Sequence, residues 1–165
     1  MDNYFIFSSH CLLNQRVRAG NSYTPGATQK FLTLLGRYPI YLYQLPCPEY
    51  TFLGDREKKT QDQWEKIEGF KDFCKKLALE VKKRCQEITK GKTPLLIAIA
   101  RSPCCSASLV YRGRSLVKGK GIWLQELEKN LRFDIIEFDF KKVEDSIEKI
   151  KAFLNQKIGH IEIET

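Results

Sequence analysis

The chain has 165 residues, 42% of them hydrophobic, 12% aromatic and 29% charged, which is enough apolar material for one closed core and excludes a disordered or collagen-like chain. Its 28 Lys and Arg against 20 Asp and Glu give a formal charge of +8, favouring anionic partners wherever that charge is clustered. Six cysteines, at 11, 47, 74, 85, 104 and 105, are too few in a chain of this size for a small secreted disulfide scaffold.

In chain order, the first residues carry no basic run and only a short apolar one before Ser8, Ser9 and His10, so they do not read as a signal peptide. No run of roughly 18 or more apolar residues follows, which points to a soluble, cytoplasmic protein with free thiols and no membrane partner. Strand-type runs are expected at 4–9, 41–45, 95–100 and 133–138. The third, Leu95-Leu96-Ile97-Ala98-Ile99-Ala100, is continuously apolar, as a strand covered on both faces must be. Helices are expected at 25–35, with Thr24 as N-cap and Pro25 in the first position, at 61–89, at 122–131 and at 143–154. The alternation predicts one α/β domain over 1–165: an open, mainly parallel sheet with helices on both faces, Rossmann-like and three-layered. Residues 159–165 alternate apolar and polar and read as a short edge strand or a frayed tail.

The long helix interleaves Lys66, Lys71, Lys75, Lys76, Lys82, Lys83 and Arg84 with Glu65, Glu68, Asp72, Glu80 and Glu87, a solvated face rather than the one-sided basic stripe of a nucleic-acid binder. Its buried stripe is expected to be Trp64, Ile67, Phe70, Cys74, Leu77, Val81, Cys85 and Ile88. Cys74 and Cys85 then lie about three turns apart on the core side, as small hydrophobes and not as joint metal ligands.

The other four cysteines follow strands: Cys11 after the first, Cys47 after the second, Cys104 and Cys105 after the third. In an open parallel sheet these carboxyl ends share one edge, where ligands bind. Thiols converging there admit three readings: an iron–sulfur cluster held by three cysteines with one open iron, a zinc or redox-thiol site, or buried cysteines without chemistry. A nucleic-acid module using Arg16, Arg18, Arg37, Arg112, Arg114, Lys118 and Lys120 is a further reading from a different class; the basic 111–121 segment equally suits a lid or a solvated loop.

Ser9-His10-Cys11-Leu12-Leu13-Asn14, Cys47-Pro48-Glu49 with Gly54-Asp55-Arg56, and Arg101-Ser102-Pro103-Cys104-Cys105 together resemble the three motifs of the thiouracil desulfidase family. The resemblance implies a 4Fe–4S enzyme that removes sulfur from a small thiolated base or related thioamide; separately, a monomer or homodimer without a nucleic-acid partner is expected. The resemblance assigns Cys11, Cys47 and Cys105 as cluster ligands, Glu49 as the base that activates water, and Ser102 as a hydrogen-bond donor to substrate. It also leaves Cys104 as an outer or sulfur-accepting group, and His10 as a donor to cluster sulfur or a plain loop histidine. The chain departs from the family pattern at Asn14 and at Arg16-Val17-Arg18-Ala19-Gly20, where an Arg-Tyr-Asp-Gly segment is usual. It departs again at Cys104 and Ser106, which stand in place of serine and glycine.

Overall fold

The computed structural model describes residues 3–159; the edge strand or frayed tail expected at 159–165 lies, beyond Gly159, outside the described residues. Four strands, β1 (Tyr4–Ser8), β2 (Ile40–Gln44), β3 (Leu95–Ile99) and β6 (Asp134–Phe138), form a parallel sheet in the order β2-β1-β3-β6. β4 (Leu109–Arg112) and β5 (Ser115–Lys118) form a separate antiparallel hairpin. All five residues of β3 are buried, as its unbroken apolar run requires when both faces are covered.

Side-chain alternation splits that sheet into two cores. Phe7, Leu96 and Ala98 pack under α5 (Phe70–Thr89) and α6 (Ile122–Asn130). Ile6, Leu95, Ile97 and Phe138 pack under α2 (Ala27–Leu35) and α7 (Val143–Ile158). This is the expected three-layer arrangement, with β1 between β2 and β3. The chain leaves β1 to one side for β2 and returns to the other for β3, so the switch point falls beyond β1 and β3. No helix among the described residues is long and apolar enough to cross a membrane.

Several local expectations are corrected. The predicted helix at 61–89 is two helices, α4 (Gln61–Glu65) and α5, because Gly69 takes a left-handed φ of 82° and lets the chain turn between them. Trp64 from α4 then stacks on Phe70 of α5 with ring centroids 4.4 Å apart. The buried stripe of α5 runs Phe70, Cys74, Ala78, Val81, Cys85, Thr89, so Ile88 is exposed and Thr89 takes the place expected for it. Thr24 does not cap α2. Pro25 and Gly26 form a turn, Gly26 at φ 76° precedes the first helical residue, and the Thr24 hydroxyl accepts a hydrogen bond from Arg18 instead. The basic 111–121 segment contains most of the β4–β5 hairpin. It is fastened by a bidentate Arg112–Glu65 pair at 2.8 Å and by the Gly113 amide donating to Asp62.

Candidate metal centre at the sheet edge

The three strand ends are stitched together before they diverge. At the end of β1, the Ser9 amide and hydroxyl both donate to the Ile97 carbonyl of β3, at 3.1 and 2.8 Å, while Leu45 N donates to Ser8 O at 2.8 Å. His10 Nδ1 lies 3.0 Å from the Leu45 carbonyl, so this ring nitrogen ties β1 to β2. Cys11 follows in the short helix α1 (His10–Leu13).

Cys47 is the N-cap of α3 (Pro48–Leu53): its sulfur accepts from Tyr50 N at 3.4 Å, and Pro48 starts the helix where its missing N–H is harmless. Glu49, in that first turn, is buried and ion-paired with Arg56. Arg56 Nε and Nη2 both donate to Glu49 Oε1, at 3.1 and 3.0 Å, and Nη1 donates to Val17 O at 2.8 Å. Side-chain exposures of 5% for Arg56 and 9% for Glu49 make this a desolvated pair.

The loop after β3 is organised by Ser102. Its Oγ accepts from the amides of Cys104 and Cys105, at 3.3 and 3.0 Å, which leaves its own O–H free to donate. Arg101 enters that loop at φ 63°, a conformation a non-glycine residue rarely adopts, and is held by a bidentate pair with Asp139 (2.8 and 2.6 Å) and a bridge to Val110. The first turn of α6 then closes on the loop: Gly121 N donates to Ser106 O, Ile122 N to Pro103 O, and Trp123 N and Leu124 N both to Cys104 O.

The result is one cavity of about 370 Å³ into which Cys11, Cys47, Cys105, Glu49 and Ser102 all open. Cys104 does not line it. Its side chain is fully buried with Trp64, Phe70 and Cys74 in the core under α5 and α6. The two adjacent cysteines therefore part, Cys105 opening to the cavity while the Cys104 thiol lies behind the lining and donates a hydrogen bond to the Glu49 carboxylate. Cys74 and Cys85 are core residues, as their helical spacing implies.

The cavity thiols sense one another. Burial, then the Cys47 thiolate and Glu49, push the Cys11 pKa up to about 12, with Arg18 opposing. Burial raises Cys47. Cys105 rises well above the ordinary thiol range through burial and then through Cys47 and Cys11. Such thiols ionise together only against a concentrated positive charge, and a metal centre that binds them displaces their protons. Among the described residues no three His, Cys, Asp or Glu side chains are grouped to hold a single metal ion. Three thiols opening on one cavity are a soft donor set of the kind that suits soft metal centres, an iron–sulfur cluster among them.

The motifs include Arg56 but do not give its partner, and the roles of Arg18 and Gly121 also escape them. Arg56 partners the Glu49 carboxylate, and no local spacing announces it. Arg18 lines the cavity with its guanidinium 3.8 Å over the Phe140 ring. Gly121 has a φ of −57°, open to any residue, but a Cβ there would lie 2.1 Å from the Cys104 carbonyl carbon.

Fold and site together define an α/β domain with three strand-end thiols gathered at the switch point of a parallel sheet. A solved structure of the 4Fe–4S-dependent thiouracil desulfidase TudS matches it with a TM-score of 0.60 over 91% of this chain and 99% of that one, at 15% identity, so the two share the fold. The chain is also 32% identical over 151 residues to the uncharacterized protein MJ0003 of Methanocaldococcus jannaschii, covering 86% of this chain and 93% of that protein, and it belongs to the family of that protein. No family model matches the chain.

Proposed function

We propose that this protein is an iron–sulfur-dependent desulfidase that converts the thiocarbonyl of a small thiolated base, or of a related thioamide, into a carbonyl with release of hydrosulfide. The observation that carries the reading is the convergence of Cys11, Cys47 and Cys105 with Glu49 and Ser102 on one cavity. The fold shared with a 4Fe–4S desulfidase supports it.

Cys11, Cys47 and Cys105 would hold the cluster, which when bound supplies an open iron acting as a Lewis acid toward a soft sulfur and polarising the carbon attached to it. Glu49 accepts a proton from the attacking water, and Arg56 keeps the carboxylate in one orientation while it does so. Ser102 is fixed by the two amides that donate to its oxygen, so its hydroxyl proton is directed to another acceptor, the substrate. The cavity lining carries Arg18, Lys58, Lys59 and Lys141 in addition to the paired Arg56 and Arg101, against the single carboxylate of Glu49. That charge favours a substrate that is anionic or that develops negative charge on sulfur.

The test is anaerobic reconstitution with iron and sulfide, followed by a screen of thiolated bases for sulfide release. Broad visible absorbance, about four irons per chain and sulfide release that is lost in Glu49→Gln are expected. A colourless protein under iron-replete, anaerobic conditions would overturn the reading, and zinc in its place would identify a zinc-thiolate protein.

A further inference from the structure

Arg18 is the arginine of this cavity lining that no neighbouring carboxylate neutralises among the described residues. The other two arginines of the lining are neutralised locally: Arg56 by Glu49, at 3.0 Å, and Arg101 by Asp139, at 2.6 Å. Arg18 has no carboxylate at ion-pair distance among the described residues. Its Nη1 donates only to neutral acceptors, Gln15 Oε1 at 2.9 Å and Thr24 Oγ1 at 3.1 Å, and its guanidinium lies 3.8 Å over the Phe140 ring. These contacts fix it in place. Burial pulls its pKa below the ordinary arginine value and the Cys11 side chain pulls it back, so the charge is partly desolvated and within reach of that thiol.

A half-buried guanidinium held by neutral groups alone is costly unless an anion completes it. Of the lysines on the lining, Lys58 and Lys141 are exposed and solvated, and Lys59 is half-buried with its ammonium 5.7 Å over the Trp64 ring. The anion available beside Cys11 is the thiolate-bound group itself, because three thiolates place net negative charge on the wall that Arg18 faces.

We propose that Arg18 is the counter-cation of the group held by Cys11, Cys47 and Cys105, a positioning residue whose fixed charge sets the electrostatic potential at that group. This inference rests on the desulfidase reading. A cation beside a cluster favours the reduced, more negative state, since net charge is one of the protein's levers on cluster potential. Loss of the cation therefore moves the midpoint to more negative values.

The experiment is an anaerobic redox titration of the reconstituted protein, followed by electron paramagnetic resonance, for the parent, Arg18→Met, Arg18→Lys and Arg16→Met. Arg16 is the control, being an exposed residue two positions away that is already paired with Asp55. The expected result for Arg18→Met is roughly a tenfold change in the reduced-to-oxidised ratio at fixed potential, about 59 mV for a one-electron couple. Arg18→Lys, which keeps the charge but loses the forked hydrogen bonds and the flat stacking surface, is expected to stay near the parent. Arg16→Met is expected to match the parent. A purely structural Arg18 would be disturbed by both replacements and would not be rescued by lysine. An unchanged midpoint in a loaded Arg18→Met protein overturns this inference and leaves the desulfidase reading intact. The inference is equally overturned by an Arg16→Met shift as large as that of Arg18→Met, or by Arg18→Lys behaving as Arg18→Met does, including failure of both to load. A parent that takes up no iron overturns both readings.

Discussion

Replacing Gly121 by alanine tests whether the third thiol is positioned by the close approach of α6. The new Cβ would lie 2.1 Å from the Cys104 carbonyl carbon, 2.2 Å from its oxygen and 2.5 Å from Cys105 N. Ordinary contact between carbon atoms begins near 3.5 Å, so helix and loop must separate by about 1.4 Å. The atoms to be displaced are backbone, with no rotamer that could swing aside. Trp123 N and Leu124 N each donate to Cys104 O at 3.1 Å, and a shift of that size takes both beyond bonding range. Two lost hydrogen bonds cost about 1–3 kcal/mol and the overpacking about 1–3 kcal/mol, so a destabilisation near 3–4 kcal/mol is expected. In a domain of this size that lowers Tm by roughly 10 °C.

Because Cys105 N is among the crowded atoms, the same substitution is expected to displace the Cys105 thiol and lower iron content after reconstitution. Thermal unfolding followed by circular dichroism and iron analysis read the two effects separately. Gly91→Ala is a stability control for a glycine with no neighbour within 4 Å; its φ of 83° makes alanine strained there, so it measures backbone strain without overpacking. A Gly121→Ala protein within about 2 °C of the parent and with full iron content would refute the reasoning.

Four further outcomes are expected. Cys105→Ser abolishes iron uptake while Cys104→Ser retains it, at a stability cost of about 1–3 kcal/mol for a hydroxyl placed in the core; iron analysis of the two proteins decides which cysteine is the ligand. Glu49→Gln leaves Arg56 buried without its counter-charge and costs about 3–5 kcal/mol in chemical denaturation. The double variant Glu49→Gln with Arg56→Met recovers much of that stability and none of the sulfide release. Asp139 is held below the usual carboxylate range by hydrogen bonds from Arg101, against an opposing effect of burial. Its contribution is therefore complete above the unfolded value near ~3.9 and is lost as pH falls through the lower folded value, so Asp139→Asn flattens the acid side of the stability profile. Cys85→Ala, far from the cavity, costs about 1–2 kcal/mol in a urea titration and leaves iron content unchanged.

The frame was legible because the chain spells it in single residues. Leu95–Ile99 reads as a central strand from an unbroken apolar run, and it is the strand buried at every position. The three cysteine sites could be placed on one edge from strand order alone, since every parallel strand ends on the same side. The hairpin of β4 and β5 was not legible: four-residue strands around Gly113 and Arg114 present more charge than alternation, and they read as a basic loop. Gly69 was passed over within a good helical pattern, although a lone glycine there is the one visible sign of the break. The Glu49–Arg56 pair needs the turn at Gly54 to bring residues seven apart together, and no helical spacing predicts that. Gly121 lies beyond local reading altogether, because the atoms it must clear belong to a loop sixteen residues earlier.

The vicinal cysteines show how the two cores and the site depend on each other. Cys104 is anchored with Trp64, Phe70 and Cys74 under α5 and α6, and its carbonyl receives two amides from α6. Cys105, on the next residue, opens to the cavity, with its amide on Ser102 Oγ and its carbonyl accepting from Ile99 N. Cys105 is thus held on three sides by elements whose stability comes from core packing, while its side chain opens to the cavity. Preorganisation of this kind means that changes in the core under α6 reach the chemistry by moving the Cys104–Cys105 peptide, and changes in the Arg101–Asp139 strap do so by relaxing the strained entry to the same loop. The two routes meet at Ser102, whose oxygen binds both cysteine amides. Loosening either side is therefore expected to disturb the third thiol and the hydroxyl donor together.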